Sequence, residues 1–187
     1  MKRYGFIKVA AATPLVRISD CHANADSIAS LLREAAERGV SITVFPELSL
    51  TGYTCGDLFQ QSRLLEAAQE SLAELLALRI PTVAIVGMPI TYKNNLYNCA
   101  VVIAGDRICG VVPKSYIPNY SEFYESRWFS SGRDIRNTTI ELCGQTVRMG
   151  SDLLFSIEGT SFGIEICEDL WVPAPPSSDM ALSGAKL

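Results

Sequence analysis

Residues 82–90 read TVAIVGMPI, nine positions with no charge and no polar–apolar alternation. A strand open to water on one face alternates, so a continuous apolar run bounded by turn residues fits a strand covered on both faces. The segments before it supply the cover. Residues 24–38 (NADSIASLLREAAER) and 57–79 (DLFQQSRLLEAAQESLAELLALR) repeat apolar residues at three and four, the period of an amphipathic helix. Asn24 or Asp26 is suited to cap the first and Gly39 to stop it. Residues 4–13 (YGFIKVAAAT) and 40–45 (VSITVF) read as strands ended by Pro14 and Pro46. The order β-α-β-α-β predicts an α/β fold with helices layered on a sheet.

The pattern changes after residue 90. Residues 95–104 and 107–112 are strands separated by Gly105-Asp106, a two-residue hairpin signal in which Asp-Gly is the more usual order. Residues 115–137 are polar and aromatic without a period, which predicts a long surface loop with one helical turn. Residues 151–157 and 161–166 form a further strand pair around Glu158-Gly159. A proline-rich stretch and a short helix follow, and SGAKL reads as the lead-in to another strand.

Composition narrows the function classes. The 187 residues are 48% hydrophobic and carry a net charge of −4, which supplies no basic face for nucleic acid or an anionic membrane. No apolar run reaches the roughly 20 residues of a membrane span, and Lys8 interrupts the only stretch resembling a leader. The six cysteines show no C-x-x-C and no metal-type pairing with the single histidine, so they read as reduced thiols of a cytoplasmic protein, most of them small core residues. Phosphate-binding glycine loops, zinc-protease helices and the G-x-S-x-G elbow are absent from the sequence.

Three strand ends carry reactive groups. VFPELSLTGY places Glu47 after a strand and a proline; VVPKSYIPNY does the same with Lys114; GIEICEDLW places Cys167 after SFGIEI. Functional side chains of layered α/β folds collect where strands finish. Each residue also has a plain reading, as a capping or solvated acid, a surface lysine and a core thiol, but their shared placement favours one site. Cys167 poses an electrostatic problem, because Glu165, Glu168 and Asp169 flank it and negative charge opposes a thiolate. His22, ahead of the first helix, is a poor candidate for its base. A carboxylate such as Glu47 can take the thiol proton. An ammonium such as Lys114 can offset the acids and stabilise a tetrahedral oxyanion, with the backbone N–H of Glu168 as a second donor.

In these segments the chain resembles the nitrilase, or carbon–nitrogen hydrolase, superfamily. FPELSLTGY, PKSYIPNY and EICEDLW match its glutamate, lysine and cysteine motifs in order. VAAATP, LTGYTCGDLF, PNYSEFYESRWF and CEDLWVP are further similar to the glutaminase domains of glutamine-dependent NAD synthetases. The resemblance implies a nitrilase-like α/β/β/α four-layer sandwich, incomplete at the C-terminus. Residues 1–187 would be the N-terminal portion of such a domain, which normally continues for roughly another hundred residues.

The implied reaction is glutamine amide hydrolysis through a thioester on Cys167, with Glu47 as base and Lys114 as oxyanion stabiliser. Tyr53, Tyr120, Phe123, Glu125 and Glu168 would line the substrate pocket, Glu125 as a second glutamate beside the triad and Glu168 toward the glutamine α-amino group. No cofactor or metal belongs to this part. ATP and Mg would serve a separate C-terminal synthetase domain, absent from this chain, which uses the ammonia to convert deamido-NAD to NAD. The implied partners are glutamine, that domain and further copies in a homo-oligomer. The alternatives are a stand-alone amidase, nitrilase or carbamoylase, and an inactive fragment or interaction module with little glutamine binding of its own.

Overall fold

The computed structural model describes residues 6–187. Its main sheet has seven strands in the order β1-β2-β3-β4-β5-β7-β6, and a two-stranded sheet, β8-β9, lies beside it. The first three strands, β1 (Val9–Ala11), β2 (Ile42–Val44) and β3 (Val83–Tyr92), run parallel. Helices α1 (Cys21–Glu37) and α2 (Ser62–Ala77) connect them. Two successive crossovers of the same right-handed sense place both helices on one face, where they pack on each other and on the sheet. The expected first strand is shorter than 4–13, and residues 4 and 5 lie outside the described ones.

Both faces of β3 are covered, as its composition requires. Val86 and Met88 join Val101 of β4 and Ile28, Leu32, Leu72 and Leu75 of the helices in the larger core. Ile85 points the other way, into a core with Ile42, Ala100, Val102 and Val112. Phe162, Ile164 and Ile166 close that second core, while Gly163 and Glu165 between them turn outward. There they meet α3 (Pro176–Leu182): Met180 leaves no room for a Cβ on Gly163, and the Ser177 N–H donates to Glu165 at 3.1 Å. The layers therefore run helix, sheet, sheet, helix, with β8 and β9 representing the second sheet among the described residues. SGAKL does begin to pair: Lys186 N–H donates to the Ser161 carbonyl and Gly163 N–H to the Leu187 carbonyl, at 2.8 and 3.0 Å.

Several local expectations are corrected. Asp20 caps α1, its side chain accepting from Ala23 N–H at 3.2 Å. Asn24 is instead fully buried and ties residue 17 to the Leu50 carbonyl. The predicted helix over 57–79 is a 3-10 turn (Gly56–Gln60) and then α2, because Gln61 is extended and Phe59 is drawn into the core against Phe129. A hairpin that periodicity did not single out, β6 (Thr138–Leu142) and β7 (Gln145–Met149), turns through Cys143-Gly144, both at positive φ. The hairpin of β4 (Asn95–Ala104) and β5 (Arg107–Pro113) explains its Gly-Asp order: only Gly105 has positive φ, as a II′ turn requires of its first central residue. Around Glu158-Gly159 the strands are β8 (Phe155–Ile157) and β9 (Thr160–Phe162), shorter than expected. All six cysteines are free; Cys21, Cys55 and Cys99 are core residues, whereas Cys109 and Cys167 are exposed and Cys143 half-buried. No helix among the described residues is long and apolar enough to cross a membrane.

Candidate active site

Glu47 lies in the turn that follows β2, and β3 presses against that turn. A Cβ on Gly87 would sit 2.3 Å from the Leu48 nitrogen and 2.7 Å from the Pro46 carbonyl oxygen, so only glycine permits the approach. The Gly87 carbonyl accepts from Leu50 N–H at 3.1 Å and its N–H donates to Ser49 Oγ at 3.2 Å, which locks the turn onto the strand. Lys114 leaves the end of β5 with its N–H on the Asn98 carbonyl and its carbonyl on Gly132 N–H, both at 2.8 Å. Cys167 opens a 3-10 turn (Cys167–Leu170) in a left-handed conformation, φ 50°, after an extended Ile166. That reversal separates its side chain from those of its sequence neighbours.

The three predicted strand-end residues meet. Lys114 is completely buried, and its Nζ donates to Glu47 Oε1 at 2.6 Å and to both oxygens of Glu125, at 2.9 and 3.0 Å. The plain reading of Lys114 as a surface lysine is thereby excluded. Burial pulls the ammonium toward neutrality, but the charges and hydrogen bonds of Glu47 and Glu125 outweigh it and hold Lys114 above its ordinary value, so it stays charged. Glu125, 2% exposed, also accepts from the Tyr53 hydroxyl at 2.7 Å. Burial and then that hydrogen bond raise Tyr53, which keeps it a neutral donor. A second set lies at the rim: Tyr120 donates to Glu168 Oε2 at 2.8 Å and meets the edge of Phe123 at a centroid distance of 5.9 Å. All eight predicted site residues thus fall into two adjoining groups.

The electrostatic expectation for Cys167 needs revision. Lys114 does lower the thiol, but burial and the negative charge of Glu47 raise it more, with Glu125 and a hydrogen bond to Glu47 adding to them. Cys167 is therefore held toward the neutral thiol, beside a carboxylate. The acids adjacent in sequence are not the ones that matter. Glu165 accepts from Ser177 N–H, Glu168 from Tyr120, and Asp169 turns inward.

Asp169, in sequence only a charge near Cys167, builds the site. At 2% exposure it accepts the N–H groups of Ser115 and Tyr116, at 3.1 and 2.7 Å, and of Ile166, at 3.0 Å. It thereby ties the loop after Lys114 to the turn that carries Cys167. Burial raises its carboxyl against the opposing effect of these donors. Replacing Asp169 with alanine is expected to strand three amides and cost about 3 kcal/mol or more, since each buried donor left unpaired costs about 1–3 kcal/mol. Urea unfolding measures this. Asp169→Asn, which retains one acceptor oxygen, is expected to fall between the variant and the wild type.

The loop from 115 to 137 has its own clasp. Arg127 Nε and Nη2 reach Asp57 Oδ1 and Oδ2 at 2.7 and 2.9 Å, and Trp128 Nε1 reaches Asp57 Oδ1 at 2.9 Å. This fastens the short turn Glu125–Arg127 to the 3-10 turn before α2 and keeps Glu125 over Lys114. His22 is remote in function: it lies on α1 facing Glu70 and Glu74 of α2. No cluster of His, Cys, Asp or Glu among the described residues is arranged to hold a metal. A buried cation between two carboxylates, one of them beside a thiol, is an arrangement that can move a proton off sulfur and meet a developing negative charge.

Comparison with known proteins places the chain in a family and a fold. The carbon–nitrogen hydrolase family model matches residues 8–187. The glutamine-dependent NAD(+) synthetase of Mycobacterium tuberculosis is 42% identical over 188 aligned residues, covering 98% of this chain but 28% of the relative. The crystal structure of a glutamine-dependent NAD(+) synthetase from Cytophaga hutchinsonii superposes with a TM-score of 0.81 at 29% identity, over 87% of this chain and 28% of that one. An amidase from Nesterenkonia sp. shares the fold at a TM-score of 0.71 and 18% identity, over 96% of this chain and 62% of that one. This chain spans less than a third of the length of the synthetases it matches. With a family match across nearly all of its residues, it belongs to the carbon–nitrogen hydrolase family.

Proposed function

We propose that this chain is the amide-hydrolysing part of a glutamine-dependent NAD synthetase. The observation that carries the reading is the buried Lys114 ammonium, held between Glu47 and Glu125 beside Cys167. Glu47 takes the thiol proton as Cys167 Sγ attacks the glutamine amide carbon. The carbonyl oxygen becomes an oxyanion, which Lys114 Nζ and the backbone N–H of Glu168 stabilise. That N–H lies in the first turn of a helix, where amides lack intrahelical acceptors. Glu47 returns the proton to the leaving nitrogen, ammonia departs, and a γ-glutamyl thioester remains. Water then attacks the thioester with Glu47 again as base, releasing glutamate and the thiol.

Glu125 fixes Lys114, and Tyr53 fixes Glu125. Glu168 with its Tyr120 partner offers a carboxylate to the glutamine α-amino group, and Phe123 backs Tyr120. The ammonia serves a C-terminal synthetase domain that uses ATP and Mg to aminate deamido-NAD. This reading carries with it a cytoplasmic location and a homo-oligomeric assembly.

The test is labelling of the chain by a diazo-ketone analogue of glutamine, with the adduct located by mass spectrometry. Cys167 is expected to label at least about tenfold faster than Cys109 or Cys143, the other cysteines with solvent access, because only it has a base and a cation at hand. Even labelling across the cysteines would overturn the reading. Rapid labelling of Cys167 by simple amide electrophiles with indifference to the glutamine analogue would point instead to a stand-alone amidase.

A further inference from the structure

Asn98 touches both Glu47 and Lys114, and the reading above leaves it without a role. It lies on β4 opposite Pro89, 1% exposed. Its main-chain carbonyl accepts the N–H of Lys114 at 2.8 Å, so its backbone polar groups face β5. In an antiparallel sheet the pair with Pro89 is then a non-hydrogen-bonded one, which is why a proline sits inside β3 without breaking a ladder bond to β4. Its side chain turns to Glu47, with Nδ2 donating to Glu47 Oε1 at 2.5 Å.

That oxygen also accepts from Lys114 Nζ at 2.6 Å. A carboxylate oxygen offers two in-plane lone pairs, and both on Oε1 are occupied. Reversing the Asn98 amide would set its Oδ1 against Oε1, acceptor to acceptor, so the orientation follows from the chemistry. Asn98 Oδ1 itself is buried without a partner, and the residue lines a cavity of about 130 Å³ shared with Glu47 and Cys167. An apolar side chain here would avoid that unpaired oxygen, so the donor to Glu47 is what the site gains from an asparagine.

We propose that Asn98 is a positioning residue that, with Lys114, saturates Glu47 Oε1 and thereby makes Oε2 the atom that receives the Cys167 proton. The proposal rests on Glu47 acting as the base. It differs from an electrostatic role, because asparagine carries no charge, and from a packing role, because leucine has nearly the same shape. Without the second donor, Glu47 is free to pivot about its single bond to Lys114, and Oε2 is no longer held in one orientation toward the thiol. Misplacement of a reacting group by about 1 Å costs on the order of a hundredfold in rate.

The experiment alkylates the chain with chloroacetamide, a small amide electrophile that needs no glutamine pocket, from neutral to strongly alkaline pH. Labelling of Cys167 is followed by mass spectrometry in the wild type, Asn98→Leu and Asn98→Ala, with thermal unfolding to establish that each is folded. At neutral pH both variants are expected to label Cys167 at least about tenfold more slowly. The gap is expected to close at high pH, where the thiol is already ionised and no base is needed to receive its proton. Wild-type rates in a folded variant would overturn the proposal, and so would a deficit that persists unchanged at high pH, which is the mark of a collapsed site. If wild-type Cys167 reacts no faster than Cys109, the catalytic reading itself fails and takes this proposal with it. If wild-type Cys167 is selective and the variants match it, only the role of Asn98 falls.

Discussion

Lys114→Met is expected to remove reactivity and to unfold the protein at markedly lower denaturant. Methionine fills a similar volume, so packing changes little. What changes is charge: Glu47 and Glu125 then face each other with no cation between them, and Glu125 is 2% exposed. Leaving a buried charge without its partner costs about 3–5 kcal/mol. Asn98 and Tyr53 still donate to the two carboxylates and offset part of this. Adding Glu125→Gln removes one of the two negative charges and is expected to restore most of the lost stability. It is not expected to restore acylation of Cys167, because no ammonium is left to meet the oxyanion. Urea unfolding and labelling by the glutamine analogue measure the two separately. If Lys114→Met unfolds at the wild-type midpoint, the ion cluster is not what holds these strand ends together. If the double variant regains reactivity, Lys114 acts only by compensating Glu125.

The positions of Glu47, Lys114 and Cys167 were legible because each is a single reactive group between an apolar strand and a turn, and β-sheet geometry brings strand ends together. The charges that act on Cys167 were not legible. Glu165, Glu168 and Asp169 are adjacent in the chain, but the left-handed turn at Cys167 and the amides of Ser115 and Tyr116 redirect them. Glu47 and Glu125, distant in sequence, are the acids that raise the thiol. Asn98 had a faint signal, a polar residue within the apolar run YNCAVVI, but nothing local says which face of β4 it serves. The β6–β7 hairpin escaped for a similar reason. Its strands are five residues each, and only Leu142, Val147 and Met149 among them are fully buried, too few for a period to stand out. The cap of α1 fell to Asp20 because a buried site for Asn24 against Leu50 depends on a contact between distant segments.

Glu47→Gln is expected to make the Cys167 thiolate easier to form and the acylation reaction far slower. In the wild type, burial raises the thiol first. The Glu47 charge raises it next, with the hydrogen bond to Glu47 adding to this, while Lys114 opposes them. Glutamine has the shape of glutamate without its charge, so two of the raising effects weaken. Lys114 loses one of its two counter-ions and acts more strongly on the sulfur. The sign is therefore downward: thiolate absorbance should titrate at lower pH in the variant than in the wild type. A Cys167→Ser control subtracts the other five cysteines. The proposed turnover of glutamine needs more than a thiolate, because acylation must protonate the leaving nitrogen as ammonia departs and deacylation must activate water to clear the thioester. In the proposed reaction both steps use the Glu47 carboxyl, and loss of a positioned acid–base group costs about 10²–10⁴-fold. The two readouts should move in opposite directions. A preformed thiolate–lysine ion pair, with Glu47 as a bystander, would leave both nearly unchanged. A purely structural Glu47 would lower reactivity without moving the thiol titration down. The crossing of a lower thiol titration and a lower acylation rate therefore separates proton transfer from either simpler role.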